Sequence, residues 1–178
     1  MVDSHTAFIG SIPEYYDQYF GPIIFEEYAQ DMARRVSVPD GGTVLEIAAG
    51  TGIVTRHLRN AMPQAVKVIA TDLNESMLEY AQRKFNGHEN IKFEPANAVN
   101  LSYPPGYFDA VVSQFSLMFF LDKQIAINET ARVLKPGGTF IFSIWDSFKH
   151  NHLLQTVNES LIQLCDNPPN FFDVPYCY

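Results

Sequence analysis

A chain of 178 residues that is 47% hydrophobic and 18% charged has the size and composition of one globular domain with a real core. Its net charge of −8, with no Lys/Arg cluster beyond Arg34-Arg35, argues against a nucleic-acid partner. No apolar run approaches the ~20 residues of a membrane helix. Cys165 and Cys177 read as reduced thiols rather than a disulfide framework or a zinc site, so a cytoplasmic protein without a metal is expected.

Residues 12–36 read as helical, with Ile23, Ile24, Phe25, Tyr28, Met32 and Val36 at roughly helical spacing. Pro13 fits a first turn, and Pro22 is expected to break the stretch in two. Pro39-Asp-Gly-Gly42 turns the chain into a first strand, 43–48, followed by a helix from Gly52 that carries Val54 and Leu58. A second strand, 66–71, leads to a helix capped by Asn74 that runs from near Glu75 to about Phe85. A third strand covers 91–94, and a loop around Pro104-Pro-Gly106 precedes a fourth, 108–113. A helix from about Asp122 to Leu134 stops at Lys135-Pro-Gly-Gly138, and a fifth strand spans 139–145. Beyond it come a helical stretch at about 150–165, Asn167-Pro-Pro-Asn170 and an aromatic tail, 171–178.

Many of the 14 Phe and 9 Tyr sit in the two terminal segments, where they serve either helix packing or an aromatic-lined pocket. The short β-branched and aromatic runs alternate with helices. Such a chain forms right-handed crossovers and a doubly wound, mostly parallel α/β sheet covered on both faces. Ligands on these sheets lie outside the carboxyl ends of the strands. The loops after Ile47, Thr71, Glu94 and Ser113 therefore converge on one crevice.

The run Thr43-Val-Leu-Glu-Ile-Ala-Ala-Gly-Thr-Gly52 carries an apolar strand with an acid near its end, then a Gly-x-Gly turn opening a helix. The turn lets the backbone pass close to a bound group that a side chain would block. Asp72 lies 72 − 52 = 20 residues past the second glycine, at the end of the second strand, where an acid can accept both hydroxyls of a ribose. The pair implies a nucleoside cofactor. A nicotinamide dinucleotide fits less well, because the third glycine of its fingerprint is replaced by Thr55 and its first strand does not normally end in an acid.

Val44-Leu-Glu-Ile-Ala-Ala-Gly-Thr-Gly52, Ala70-Thr-Asp-Leu-Asn-Glu-Ser-Met-Leu78, Tyr107-Phe-Asp-Ala-Val-Val-Ser113 and Arg132-Val-Leu-Lys-Pro-Gly-Gly138 with Thr139 through Trp145 occur in order. This set, over roughly residues 43–146, resembles the class I S-adenosylmethionine-dependent methyltransferases. Within that superfamily it is similar to the small-molecule enzymes related to those of quinone biosynthesis, a likeness that Tyr16-Asp17 in an N-terminal lid helix also supports. The resemblance implies a Rossmann-like sheet and a single domain over residues 1–178. Within it, 1–40 would be a helical lid, 41–146 the cofactor-binding core and 147–178 a C-terminal helix and tail. It also implies S-adenosyl-L-methionine as cofactor and a small-molecule methyl acceptor.

It further implies roles residue by residue. Glu46 would lie near the cofactor's cationic amino group, with Ala48, Gly50 and Gly52 in the turn beside it. Asp72 would hold the ribose, and Leu73 and Met77 would pack on the adenine. Asn97 and Ala98 would meet the adenine amino edge, Gln114 and Phe115 the methionine part, and Tyr16 its carboxylate. Plainer readings stand beside these: a loop-capping charge for Glu46, a helix N-terminal acid for Asp72, and core packing for Leu73 and Met77.

Two departures from the family pattern matter. Asn97-Ala98 stands where relatives commonly carry Asp-Ala, leaving an uncharged carbonyl acceptor. The family sheet runs 3-2-1-4-5-7-6, yet no hairpin for strands six and seven is legible, as in a member cut short. A bare strand-five edge is a pairing hazard. A homodimer through that edge is expected, with coverage by the aromatic tail as the alternative. The implied reaction is in-line attack on a sulfonium methyl, which needs no metal. Asp146, His150 and His152 lie near the crevice mouth but read as solvated loop residues, so no catalytic residue is assigned. A domain that binds the cofactor without transferring the methyl is the alternative function.

Overall fold

The computed structural model describes residues 10–147 and 150–164, with Leu153 and Leu154 described by their backbone alone. Both cysteines and the aromatic tail lie outside the described residues. The described chain runs α1 (Ile12–Tyr15), a π-helical segment (Tyr16–Phe25), α2 (Glu26–Arg35), β1 (Thr43–Ile47), α3 (Ile53–Ala61), β2 (Lys67–Asp72) and α4 (Glu75–Arg83). It continues with β3 (Ile91–Pro95), β4 (Phe108–Gln114), a 3-10 turn (Leu117–Phe119), α5 (Lys123–Val133), β5 (Leu134–Ser143) and α6 (His152–Leu164).

The strands pair in the order β3-β2-β1-β4-β5, all parallel. This is the order the resemblance implies for its first five strands, and among the described residues no further strand follows. The second edge of β5, through which a homodimer is expected, therefore carries no strand among those residues.

Alternation along the central strands supplies two core layers. Val44, Val68, Ala110 and Val112 face one side, where Ala29, Met32 and Ala33 of α2 pack with Val54 and Leu58 of α3. Leu45, Ile47, Ile69 and Val111 face the other, against Leu101, Ala126 and Val133. Central parallel strands are buried on both faces, which is why β1, β2 and β4 have consecutive apolar residues at their centres, Val44-Leu45, Val68-Ile69-Ala70 and Ala110-Val111-Val112.

Two elements differ from the sequence expectation. Pro22 does not split the N-terminal stretch. It sits inside the π-helical segment, where the Glu26 N–H reaches back five residues to the Gly21 carbonyl and the helical path continues past the proline. Strand five begins at Leu134 rather than at Thr139. Leu134 pairs with Phe108 and Thr139 with Ala110, so Lys135-Pro-Gly-Gly138 bulges out of the ladder instead of preceding it.

Candidate functional site

The carboxyl ends of β1, β2 and β4 open on a cavity of about 440 Å³, within the range of small-molecule sites. The turns that line it hold unusual backbone. Ala48 after β1 and Phe115 after β4 have φ of 58° and 48°, beside φ of 54° at Gly50. Non-glycine residues in the left-handed region are strained and cluster where a ligand is held. Phe115 is fixed in that conformation from behind. Its N–H donates to the Ser143 carbonyl at 2.9 Å, and its ring stacks on Trp145 at 4.0 Å and 3°, with Tyr28 edge-on at 5.1 Å.

The two glycines of the turn do different things. A side chain at Gly50 would meet nothing within 4 Å, so its bareness keeps the cavity wall open. A Cβ on Gly52 would meet Ala81 Cβ at 3.1 Å and Phe85 Cε2 at 3.2 Å. Gly52 thus admits the α4 region against the start of α3, and it is not among the residues lining either cavity.

Asp72 ends β2 and lines the cavity. Its Oδ2 accepts from the Gly50 N–H at 2.8 Å, and its Oδ1 accepts from the Asn74 N–H at 2.8 Å. It therefore locks the glycine turn to β2 while keeping lone pairs for a ligand. Burial raises its pKa, against the lowering effect of the N–H groups of Asn74, Gly50 and Leu73. The cap of α4 is Asn74, whose Oδ1 accepts from the Met77 N–H at 3.2 Å, so Asp72 is not that helix's cap.

Glu46 is only 2% exposed. Its Oε2 accepts from Thr55 Oγ1 at 2.5 Å. Burial pushes its pKa up to about 8; the Thr55 hydrogen bond opposes this, and the nearby Asp72 charge adds to it. Glu46 faces a second, smaller cavity of about 50 Å³, shared with Tyr16, Gly50, Thr51 and Gln114. Two buried oxygens there, Thr51 Oγ1 and Gln114 Oε1, have no hydrogen-bond partner among the described residues. Buried acceptors of this kind call for a donor. With the Glu46 carboxylate they make a subsite that suits an ammonium group.

The remaining expected residues, Tyr16, Ala48, Leu73, Met77, Asn97, Ala98, Gln114 and Phe115, all line the larger cavity. Tyr16 borders both cavities, and burial, then the charges of Asp72 and Asp17, holds its phenol well above the usual range. Leu73 is 60% exposed, so it presents an apolar face to the opening rather than filling the core. Met77 is 5% exposed and serves core and cavity together. Asn97 Oδ1 already accepts from the Val99 N–H at 3.1 Å, so any ligand contact there uses its second lone pair or its amide N–H. Asp146, His150 and His152 do not line the cavity.

Sequence reasoning missed Thr55, noticed only as an absent glycine, and the run Phe119-Phe120-Leu121 at the cavity rim. Its signal was an apolar run placed just past a strand's carboxyl end. Among the described residues no group of His, Cys, Asp or Glu could hold a metal ion, and no helix is long and apolar enough to cross a membrane.

A protein-family profile described as a methyltransferase domain matches residues 45–142. The chain is 38% identical over 104 residues to the ubiquinone/menaquinone biosynthesis C-methyltransferase UbiE of Hahella chejuensis, covering 57% of this chain and 42% of that protein. It is 31% identical over 139 residues to UbiE of Proteus mirabilis, covering 70% of this chain and 55% of that one. The match thus spans about half the length of these curated relatives. Among solved structures, YcgJ of Bacillus subtilis is similar at TM-score 0.60 and 28% identity, over 78% of this chain and 58% of that one. A putative S-adenosyl-L-methionine-dependent methyltransferase of Methanococcus maripaludis shares the fold, at TM-score 0.64 and 23% identity over 84% and 74% of the two chains.

Proposed function

From the premise that this chain belongs to the class I S-adenosylmethionine-dependent methyltransferases, related to the quinone-biosynthesis enzymes, we propose that it transfers a methyl group to a small-molecule acceptor. The observation that carries this reading is the pair of adjoining cavities. One is bordered by the Asp72 carboxylate and the bare Gly50 wall, the other by Glu46 with two unpartnered oxygens.

When bound, S-adenosylmethionine supplies a sulfonium methyl that an acceptor lone pair or carbanion can attack in line, the C–S electron pair returning to sulfur. The chain's residues bind and orient. The Asp72 carboxylate accepts from ribose hydroxyls. Glu46, Gln114 Oε1 and Thr51 Oγ1 take the N–H groups of the ammonium. Met77 and Leu73 cover one face of the base, and Asn97 meets its polar edge. Phe115 and Tyr16 hold water away from the reacting centre. Such positioning supplies several kcal/mol of barrier reduction.

Apart from Asp72, no carboxylate, histidine or lysine among the described residues lines the larger cavity. That observation favours an acceptor already nucleophilic at neutral pH. It also supports a second reading, a domain that binds the cofactor without transferring the methyl. Labelled S-adenosylmethionine incubated with this chain and a small-molecule cell extract separates the two: label on an extracted small molecule supports transfer, and cofactor binding without any labelled product supports the second reading.

A further inference from the structure

In the π-helical segment Tyr16–Phe25 only Gly21 is fully buried; Tyr16 and Phe25 are half-buried, while Tyr19 and Ile23 are 60% and 82% exposed. Burial alone therefore holds it weakly. It is tied instead at both ends by polar contacts to separate elements. At its end, the Phe25 carbonyl accepts from Gln114 Nε2 at 3.2 Å. Near its start, Asp17 Oδ1 accepts from Lys84 Nζ at 2.6 Å, and Asp17 Oδ2 from the Tyr80 hydroxyl at 3.4 Å. Beside the ties, the rings of Tyr16 and Phe25 stack at 5.1 Å and 21° and border the cavity that Glu46 faces. In an α-helix of about 3.6 residues per turn, positions nine apart project to opposite sides. The wider π turn brings this pair to one side.

The seat of the Lys84 tie is itself fixed. The Lys84 carbonyl accepts from Arg56 Nη2 at 2.9 Å, and the Arg56 guanidinium lies 3.9 Å from the centre of the Phe85 ring and pairs with Glu89. The side chains of Asp17 and Lys84 are 18% and 30% exposed, so water screens their attraction only in part.

Building on the cofactor reading above, we infer that the Asp17–Lys84 pair is the latch of a lid: it holds Tyr16 against the cavity and so sets how long cofactor and product stay bound. Neither residue lines either of the two cavities described above. Both are positioning residues that act through Tyr16.

The test is the dissociation rate of S-adenosylhomocysteine, read by stopped flow through the fluorescence of Trp145, the single tryptophan, which stacks on cavity-lining Phe115. Lys84→Met and Asp17→Asn should each speed release by roughly 3–5-fold, the upper end expected for a partly exposed ion pair. The charge-swapped Asp17→Lys/Lys84→Asp pair should recover most of the loss. In a Tyr16→Ala background, Lys84→Met should change the rate by less than about twofold, since the latch works through that ring. Hydrogen exchange should quicken in amides 16–25 of the single variants and stay unchanged in β1 and β4. Normal wild-type binding with both single variants within about twofold of it would overturn the latch, as would loss of protection spread evenly across the sheet. A wild-type protein that does not bind S-adenosylhomocysteine overturns the cofactor reading itself, and the latch with it.

Discussion

Alanine at either glycine of the Gly-x-Gly turn separates folding from binding. Both positions have positive φ, 54° at Gly50 and 81° at Gly52. A left-handed alanine costs about 1–2 kcal/mol, and Ala48 in the same loop already tolerates φ of 58°. At Gly50 nothing else is in the way. At Gly52 the new methyl lies 3.1 Å from Ala81 Cβ and 3.2 Å from Phe85 Cε2, and both belong to the α4 region packed against α3. Overpacking of this kind adds about 1–3 kcal/mol. Gly52→Ala should therefore lose roughly 2–5 kcal/mol, and Gly50→Ala roughly 1–2. For a chain of this size that is a fall in Tm of roughly 4–20 °C against 2–8 °C. Calorimetric titration of the folded variants should show the reverse order. Gly50→Ala fills the cavity wall and loses most affinity for S-adenosylhomocysteine, whereas Gly52→Ala binds close to normally while folded. Equal losses of Tm in the two variants, or full affinity in Gly50→Ala, would refute this division of roles.

Asp72→Ala should weaken S-adenosylhomocysteine binding by ~1–3 kcal/mol through lost hydroxyl contacts, and it should also lower Tm because the Gly50 and Asn74 N–H groups lose their acceptor. An unchanged Kd with a lowered Tm would leave Asp72 with the turn alone. Glu46 gives a pH signature. Its carboxyl rises from 4.5 unfolded to about 8 in the fold, so the native state holds the proton more tightly. The stability it contributes is full below about pH 4.5 and falls as pH rises to about 8, by a few kcal/mol at most. Glu46→Gln should flatten that slope in thermal melts without ligand, and an unaltered pH–stability curve would contradict the burial argument. Because an ammonium favours the ionised carboxylate, cofactor binding near pH 7 should release protons, measurable as a dependence of the binding enthalpy on buffer.

The central strands were legible because burial on both faces leaves apolar runs such as Val66 to Thr71 and Phe108 to Ser113 with little else to be. The start of β5 was not, since Lys135-Pro-Gly-Gly138 carries the chemistry of a turn and only the partner strand turns it into a bulge. Pro22 misled for a related reason: the rule that proline ends a helix assumes α geometry, and a π turn relaxes it. Most of the site could be read because its residues follow strand ends whose places the alternation dictates. The role of Gly52 could not be read, because it depends on Ala81 and Phe85 arriving from the next helix. Thr55 went unseen for the same kind of reason, its hydroxyl meeting a carboxylate nine residues earlier across a strand-to-helix turn. The Asp17–Lys84 tie joins residues 67 apart with no local pattern to mark it.

Cofactor identity is tested most directly by calorimetric titration of this chain with S-adenosylhomocysteine and, separately, with NAD. The carboxylates of Asp72 and Glu46, the bare Gly50 wall and the unpartnered oxygens of Gln114 and Thr51 lead us to expect one-to-one binding of the first and none of the second. NAD binding more tightly than S-adenosylhomocysteine would contradict it.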